Sequence, residues 1–112
     1  MITDKCTQVR FLPESFMNKH ISEACLWIRV MLGISRKSMS KLIGLSDATL
    51  DSCESGYPSL RTLEKYRQLT GIDVYLLASV KFCKSIDVPG IVEDAELKLC
   101  ELSERVKHVT TH

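Results

Sequence analysis

Proline and glycine are scarce in this chain, three and five among 112 residues. Strand-like alternation is almost absent as well, so the chain reads as all-helical. No apolar run approaches the length needed to cross a bilayer. The opening stretch, MITDKCTQVRFLPESF, lacks the basic start, apolar run and small-residue cleavage site of a signal peptide, which makes a cytoplasmic location the expectation. Neither sign of charge is in excess: 15 Lys/Arg face 14 Asp/Glu, a net +1, which is little for a protein that grips phosphates. Five cysteines (Cys6, Cys25, Cys53, Cys83, Cys100) are odd in number, scattered, and form no C-x-x-C pair. That argues against a disulfide framework and against a closed zinc site. Cys25 and Cys53 stand at apolar positions of their segments and read as small hydrophobes. No glycine-rich phosphate loop or nucleophile motif is found. His20, His108 and His112 have no Cys or acidic partner at metal spacing, so neither an enzyme nor a metal or cofactor is expected.

What is present suits one domain with a modest core. Hydrophobic residues make up 45% and charged residues 26%, an ordinary globular composition. The charge is unevenly placed. Residues 1–84 carry 12 Lys/Arg against 8 Asp/Glu, whereas residues 85–112 carry 3 against 6. The pattern is a mildly basic module followed by an acidic segment.

Helical periodicity begins near Glu14, after Pro13, with Ile21, Ala24, Cys25, Ile28, Met31 and Leu32 on one face, and stops at Gly33. Ser35 suits the cap of a second helix reaching about Ile43, with Met39 and Ile43 inward. Gly44 allows a tight turn, and Ser46 caps a third helix, DATLDSCE, with Leu50 and Cys53 inward. Pro58-Ser59 opens a fourth, with Leu60, Leu63, Tyr66 and Leu69 expected inside, and Gly71 stops it. Asp73 opens a fifth carrying Val74, Leu76, Leu77 and Val80. Trp27 reads as core or interface packing.

Beyond Val88-Pro89-Gly90, the residues Val92, Ala95, Leu99, Leu102, Val106 and Val109 recur at alternating steps of 3 and 4, a heptad seam. A narrow stripe of this kind suits a second copy of the same helix, which makes residues 85–112 a dimerisation segment. Folding back on its own domain, or a different partner, are the other ways of covering it.

Two short helices joined by a three- or four-residue turn containing glycine form a helix-turn-helix. The arrangement needs a small residue where the helices cross, a turn residue that tolerates positive φ, and an apolar anchor in the second helix. Ser40, Gly44 and Leu50 stand at those offsets. Over about residues 26–79, roughly half the chain, the sequence resembles the Cro/C1-type (XRE-like) helix-turn-helix transcriptional regulators. Arg29, Ser35-Arg36, Met39-Ser40, Gly44, Leu50 and Glu54-x-Gly56 occupy the positions that match the family's pattern, and PSLRTL followed by LTGIDVYLL resembles its fourth and fifth helices.

Beside the lead or arm over 1–19 and the additional C-terminal amphipathic helix over 85–112 that the pattern of this all-α chain gives, the resemblance implies a five-helix lambda-repressor-like DNA-binding domain over residues 20–84. It further implies sequence-specific binding of double-stranded DNA by a homodimer on a palindromic operator, as a repressor in preference to an activator. The third helix would enter the major groove, turning Asp47, Ala48, Thr49 and Ser52 towards base edges, with Asp51 also outward. Ser35, Arg36 and Lys37 at the second helix, and Ser55, Tyr57 and Arg61 beyond the third, are the phosphate candidates. Arg29 and Glu54 match a semi-buried ion pair of related phage repressors, a structural role.

Two departures stand out. The family commonly has Gln where Arg36 and Asp47 stand, and Asp47 carries negative charge towards a polyanion while complementing the dipole of its own helix. The loop between Gly56 and Pro58 offers only Tyr57. A second reading, of another class, is a protein-interaction module or an antitoxin on the same scaffold, motivated by the acidic C-terminal segment and by Asp47 and Asp51. A membrane partner is not expected.

Overall fold

Serine hydroxyls set the helix starts. The computed structural model describes the backbone of residues 14–110 and the side chains of 16–106, and within them every regular element is helical. The helices are α1 (Glu14–Leu32), α2 (Arg36–Ile43), α3 (Asp47–Glu54), α4 (Leu60–Thr70), α5 (Val74–Leu77), which runs on into a π-helical turn at Ala78–Phe82, and α6 (Ile91–Thr110). Ser35, Ser46 and Ser59 each accept the backbone N–H three residues on, at 3.1, 3.1 and 3.2 Å, which satisfies a donor that the first turn of α2, α3 or α4 would otherwise leave orphaned. Asp73 does the same for α5 at 3.0 Å. No helix among the described residues is long and apolar enough to cross a membrane.

Helix α1 is the central element, packed against α3, α5 with its π-helical turn, and α6. Its Ile21, Ala24, Cys25, Ile28 and Leu32 share one core with Met39 and Ile43 of α2, Leu50 and Cys53 of α3, Tyr66 of α4, and Val74, Leu77 and Ala78 beyond it. Ala95 and Leu99 of α6 close that core.

The structure corrects four sequence expectations. Met31 is exposed, because the buried face of α1 centres on Ile28 and Leu32. Leu60 is 85% exposed, and the inward stripe of α4 is Thr62, Tyr66 and Thr70, flanked by half-buried Leu63 and Leu69. Two threonines are tolerated there because their hydroxyls are satisfied locally. Thr62 meets the Ser59 hydroxyl at 2.9 Å, and Thr70 donates to the Tyr66 carbonyl at 2.7 Å and accepts from Ile72 N–H at 3.1 Å. After Leu77 the wider π-helical turn places Ala78 and Ser79 inside, leaving Leu76 and Val80 half-buried.

The fourth correction concerns α6. Ala95, Leu99 and Val106 are buried within the chain's own fold, and Val92 and Leu102 pack against the same core. From Val92 to Leu102 the seam expected to pair two copies is therefore covered by α1 and its neighbours. A stripe stepping by 3 and 4 is apolar whichever surface meets it, and here the nearest apolar surface belongs to the same chain. Lys98 secures the docking by donating to the Gly71 carbonyl at 3.0 Å while pairing with Asp94 at 3.0 Å. The side chains of Val109, His108 and His112 lie outside the described residues, as do Cys6 and positions 1–13 of the expected lead. Residues 14–19 are the first turns of α1, so a boundary at residue 20 would cut through a helix.

Candidate nucleic-acid interface

Helices α2 and α3 are joined by Gly44, Leu45 and Ser46. Gly44 has φ 78°, a left-handed conformation that a Cβ would strain, and its N–H returns to the Ser40 carbonyl at 3.0 Å. Ser40 is buried and its hydroxyl donates to the Leu45 carbonyl, while Leu45 N–H donates to the Ser40 carbonyl at 3.1 Å. The turn is thus bonded from both sides, which fixes how α3 leaves α2.

Three further contacts hold α3 and the residues just after it on α1. Leu50 and Cys53 are buried, and Cys53 Sγ lies 3.2 Å from Cys25 Sγ. Gly56 N–H donates to Ser22 Oγ at 3.0 Å. The third contact joins Arg29 to Glu54 through two hydrogen bonds, Nε to Oε2 at 2.8 Å and Nη2 to Oε1 at 3.2 Å. The Glu54 side chain is only 1% exposed, and Arg29 also donates to the Ile34 carbonyl at 3.1 Å. Its hydrogen bond to Glu54 raises the Arg29 pKa further, against the opposing effect of burial. This planar, two-point pairing is the geometry in which guanidinium binds carboxylate most strongly.

With one side anchored, α3 exposes the other. Asp47, Ala48, Thr49, Asp51 and Ser52 are all exposed and uncovered by any described segment. The Thr49 hydroxyl receives a hydrogen bond from Ser46 at 2.8 Å, so it is partly engaged. Lys37 of α2, Ser55 and Tyr57 just beyond α3, and Arg61 of α4 are exposed as well, with Tyr57 among the most open side chains of the described set at 78%. Ser35 is committed to its own helix: it caps α2 and donates to the Ser38 hydroxyl at 3.1 Å.

Arg36 differs most from what its position in sequence suggests. Its Nη1 pairs with Asp51 Oδ1 at 2.9 Å and its Nε lies 3.5 Å from Glu54 Oε1. A cation expected to be open to phosphate is instead held between two carboxylates of α3. Sequence reading placed Asp51 outward without a partner. Its partner lies 15 residues earlier on another helix, and only the packing of α2 on α3 brings the two together. Among the described residues, no three His, Cys, Asp or Glu side chains converge as metal ligands. No family model, curated protein or solved structure matches the chain.

Proposed function

We propose that the chain is a sequence-specific DNA-binding regulator of the Cro/C1 type, with α1–α5 in a lambda-repressor-like arrangement and α3 as the helix that enters the major groove. The observation that carries this reading is the open polar edge of α3, whose opposite side is locked to α1 by Leu50, Cys53 and Glu54. A recognition helix must be rigid on one side and open on the other, because base contacts tolerate little displacement. In this reading the Ala48 and Thr49 methyls meet thymine methyls, Ser52 hydrogen-bonds base edges, and Asp47 accepts from an exocyclic amino group. Lys37, Ser55, Tyr57 and Arg61 hold the phosphate backbone.

So few free cations make single-copy binding weak. Two copies on a palindromic site, with half-sites about 34 Å apart, double the phosphate contacts. Because the apolar stripe of α6 is already covered, the two copies meet through another surface. Occupying a promoter is enough to repress it, which favours a repressor.

Charge reversal at Lys37 tests the reading. Lys37→Glu is expected to weaken binding to all duplexes alike, by about tenfold or more at low salt, without changing which sequence is preferred. Arg36 is the poorer choice, since a glutamate there would add a third carboxylate beside Asp51 and Glu54. Electrophoretic shift of the wild-type chain against a random-duplex library checks the reading itself: absence of salt-sensitive, sequence-discriminating binding refutes it.

A protein-interaction module or antitoxin is the second reading, favoured by the carboxylates that neutralise Arg36 on the α3 face. The same variant separates the two, because a complex with a protein partner that survives Lys37→Glu while duplex binding is lost, or was never present, supports this alternative.

A further inference from the structure

We propose that Asp51 is a selectivity residue that works by exchanging partners, an inference that rests on the DNA-binding reading above. In the free protein it holds Arg36. On a matching site it releases Arg36 to a backbone phosphate and itself accepts a hydrogen bond from the exocyclic amino group of cytosine or adenine.

The geometry supplies each part. Glu54, nearly closed to solvent, is already bound twice by Arg29 at 2.8 and 3.2 Å, so it does not require Arg36, whose contact with it is the looser one at 3.5 Å. The close partner of Arg36 is Asp51, at 2.9 Å, and this pair lies at the surface, with side chains 45% and 56% exposed. Exposed pairs of this kind shift equilibria by no more than about fivefold, so a phosphate that offers a guanidinium two oxygens can displace the carboxylate.

The displacement has a consequence for Asp51. Freed of Arg36, its carboxylate faces a polyanion and repels it unless something donates to it. In the major groove the donors are the amino groups of cytosine and adenine; guanine and thymine present acceptors and a methyl group there. Over a base that offers an acceptor, Asp51 keeps Arg36 and one phosphate contact is not made. Over an amino group, both exchanges proceed together. One carboxylate thereby ties a phosphate contact to the identity of a base, and holds down binding to unrelated DNA.

The test compares the wild-type chain with Asp51→Ala and Asp51→Asn by fluorescence anisotropy on a mixed-sequence duplex of roughly 20 base pairs, long enough for two half-sites one helical turn apart. It is joined to selection of sites from a random library. Both variants are expected to bind the mixed duplex about three- to fivefold more tightly at low salt, with a log–log salt slope steeper by about 0.9 for the phosphate that Arg36 gains. Selection with Asp51→Ala is expected to lose a preference for cytosine or adenine at one position per half-site, and the base that wild type enriches there tells which amino group is read. The inference is overturned if wild type selects a site while both variants show unchanged mixed-duplex affinity and Asp51→Ala keeps the same base preferences. If no duplex binds to any of the three proteins, the DNA-binding reading fails and takes this inference with it. Thermal melts of the variants at the wild-type temperature would show that the exposed pair was not holding the fold.

Discussion

Cys25 of α1 and Cys53 of α3 meet inside the core as free thiols, with Sγ atoms 3.2 Å apart and neither side chain open to solvent. The Tyr66 hydroxyl is buried close by, without a partner in hydrogen-bond geometry. The hydrogen bond shared with Cys53, then burial, pushes the Cys25 thiol well above its ordinary range, and burial does the same to the Tyr66 phenol. Both groups therefore hold their protons more tightly folded than unfolded. The stability this confers is complete below their unfolded pKa values, near 8.5 and 10, and is lost as pH rises towards the folded values. Urea unfolding at several pH values is expected to show no loss from this source at pH 7. Above about pH 9 stability should fall by up to roughly 1.4 kcal/mol per pH unit through Cys25, and above about pH 10 by up to as much again through Tyr66. Cys25→Ala should remove the earlier part of that fall. A profile flat from neutral pH to well above 10 would contradict the assignment.

Arg29 and Glu54 make a second, sharper prediction, because their exposures differ. Arg29 is 16% exposed and its head can take up water, whereas Glu54 at 1% cannot. Arg29→Ala strands a buried carboxylate with only Arg36, at 3.5 Å, as a partial substitute. The expected loss is about 3–5 kcal/mol, and the double variant Arg29→Ala/Glu54→Ala should be more stable than Arg29→Ala alone. A double-mutant cycle by chemical denaturation measures this. Purely additive losses would mean that the two charges act independently.

Leu99 distinguishes a folded-back α6 from a dimerisation arm. It is fully buried against the chain's own core, whereas Leu97 two residues earlier is 65% exposed. Leu99→Ala is expected to cost about 2–5 kcal/mol of monomer stability, and Leu97→Ala less than about 0.5 kcal/mol. Removing residues 89–112 should unfold the remainder or leave it with an exposed core. If α6 instead joined two copies, solution mass would halve on truncation while the shortened chain kept its cooperative melt.

Much of the local architecture was legible in the sequence. Ser35, Ser46, Ser59 and Asp73 cap the helices they were expected to cap, and Gly33, Gly44 and Gly71 follow the ends of α1, α2 and α4 with positive φ. These signals act within one helical turn: a hydroxyl reaches an N–H three residues on, and a glycine relieves a clash with its own neighbours. The outward edge of α3 was legible for a related reason, whereas the pairing of Arg29 with Glu54 came from the family resemblance alone. Once helix ends are known, the 3.6-residue period dictates which side chains share a face.

What the tertiary structure decided is which surface each face meets. The stripe of α6 carries the same residues whether it covers its own core or a second copy, and only docking beside α1, with Lys98 on the Gly71 carbonyl, assigns it. Leu60 turned outward because α4 is rotated to bury Tyr66 against the thiols of α1 and α3, a matter of three helices at once. Arg36 found Asp51 rather than solvent because two short helices were set at a fixed angle by a bonded turn. Partner choice depends on separations through space, which sequence spacing does not encode; helix ends depend on separations along the chain, which it does.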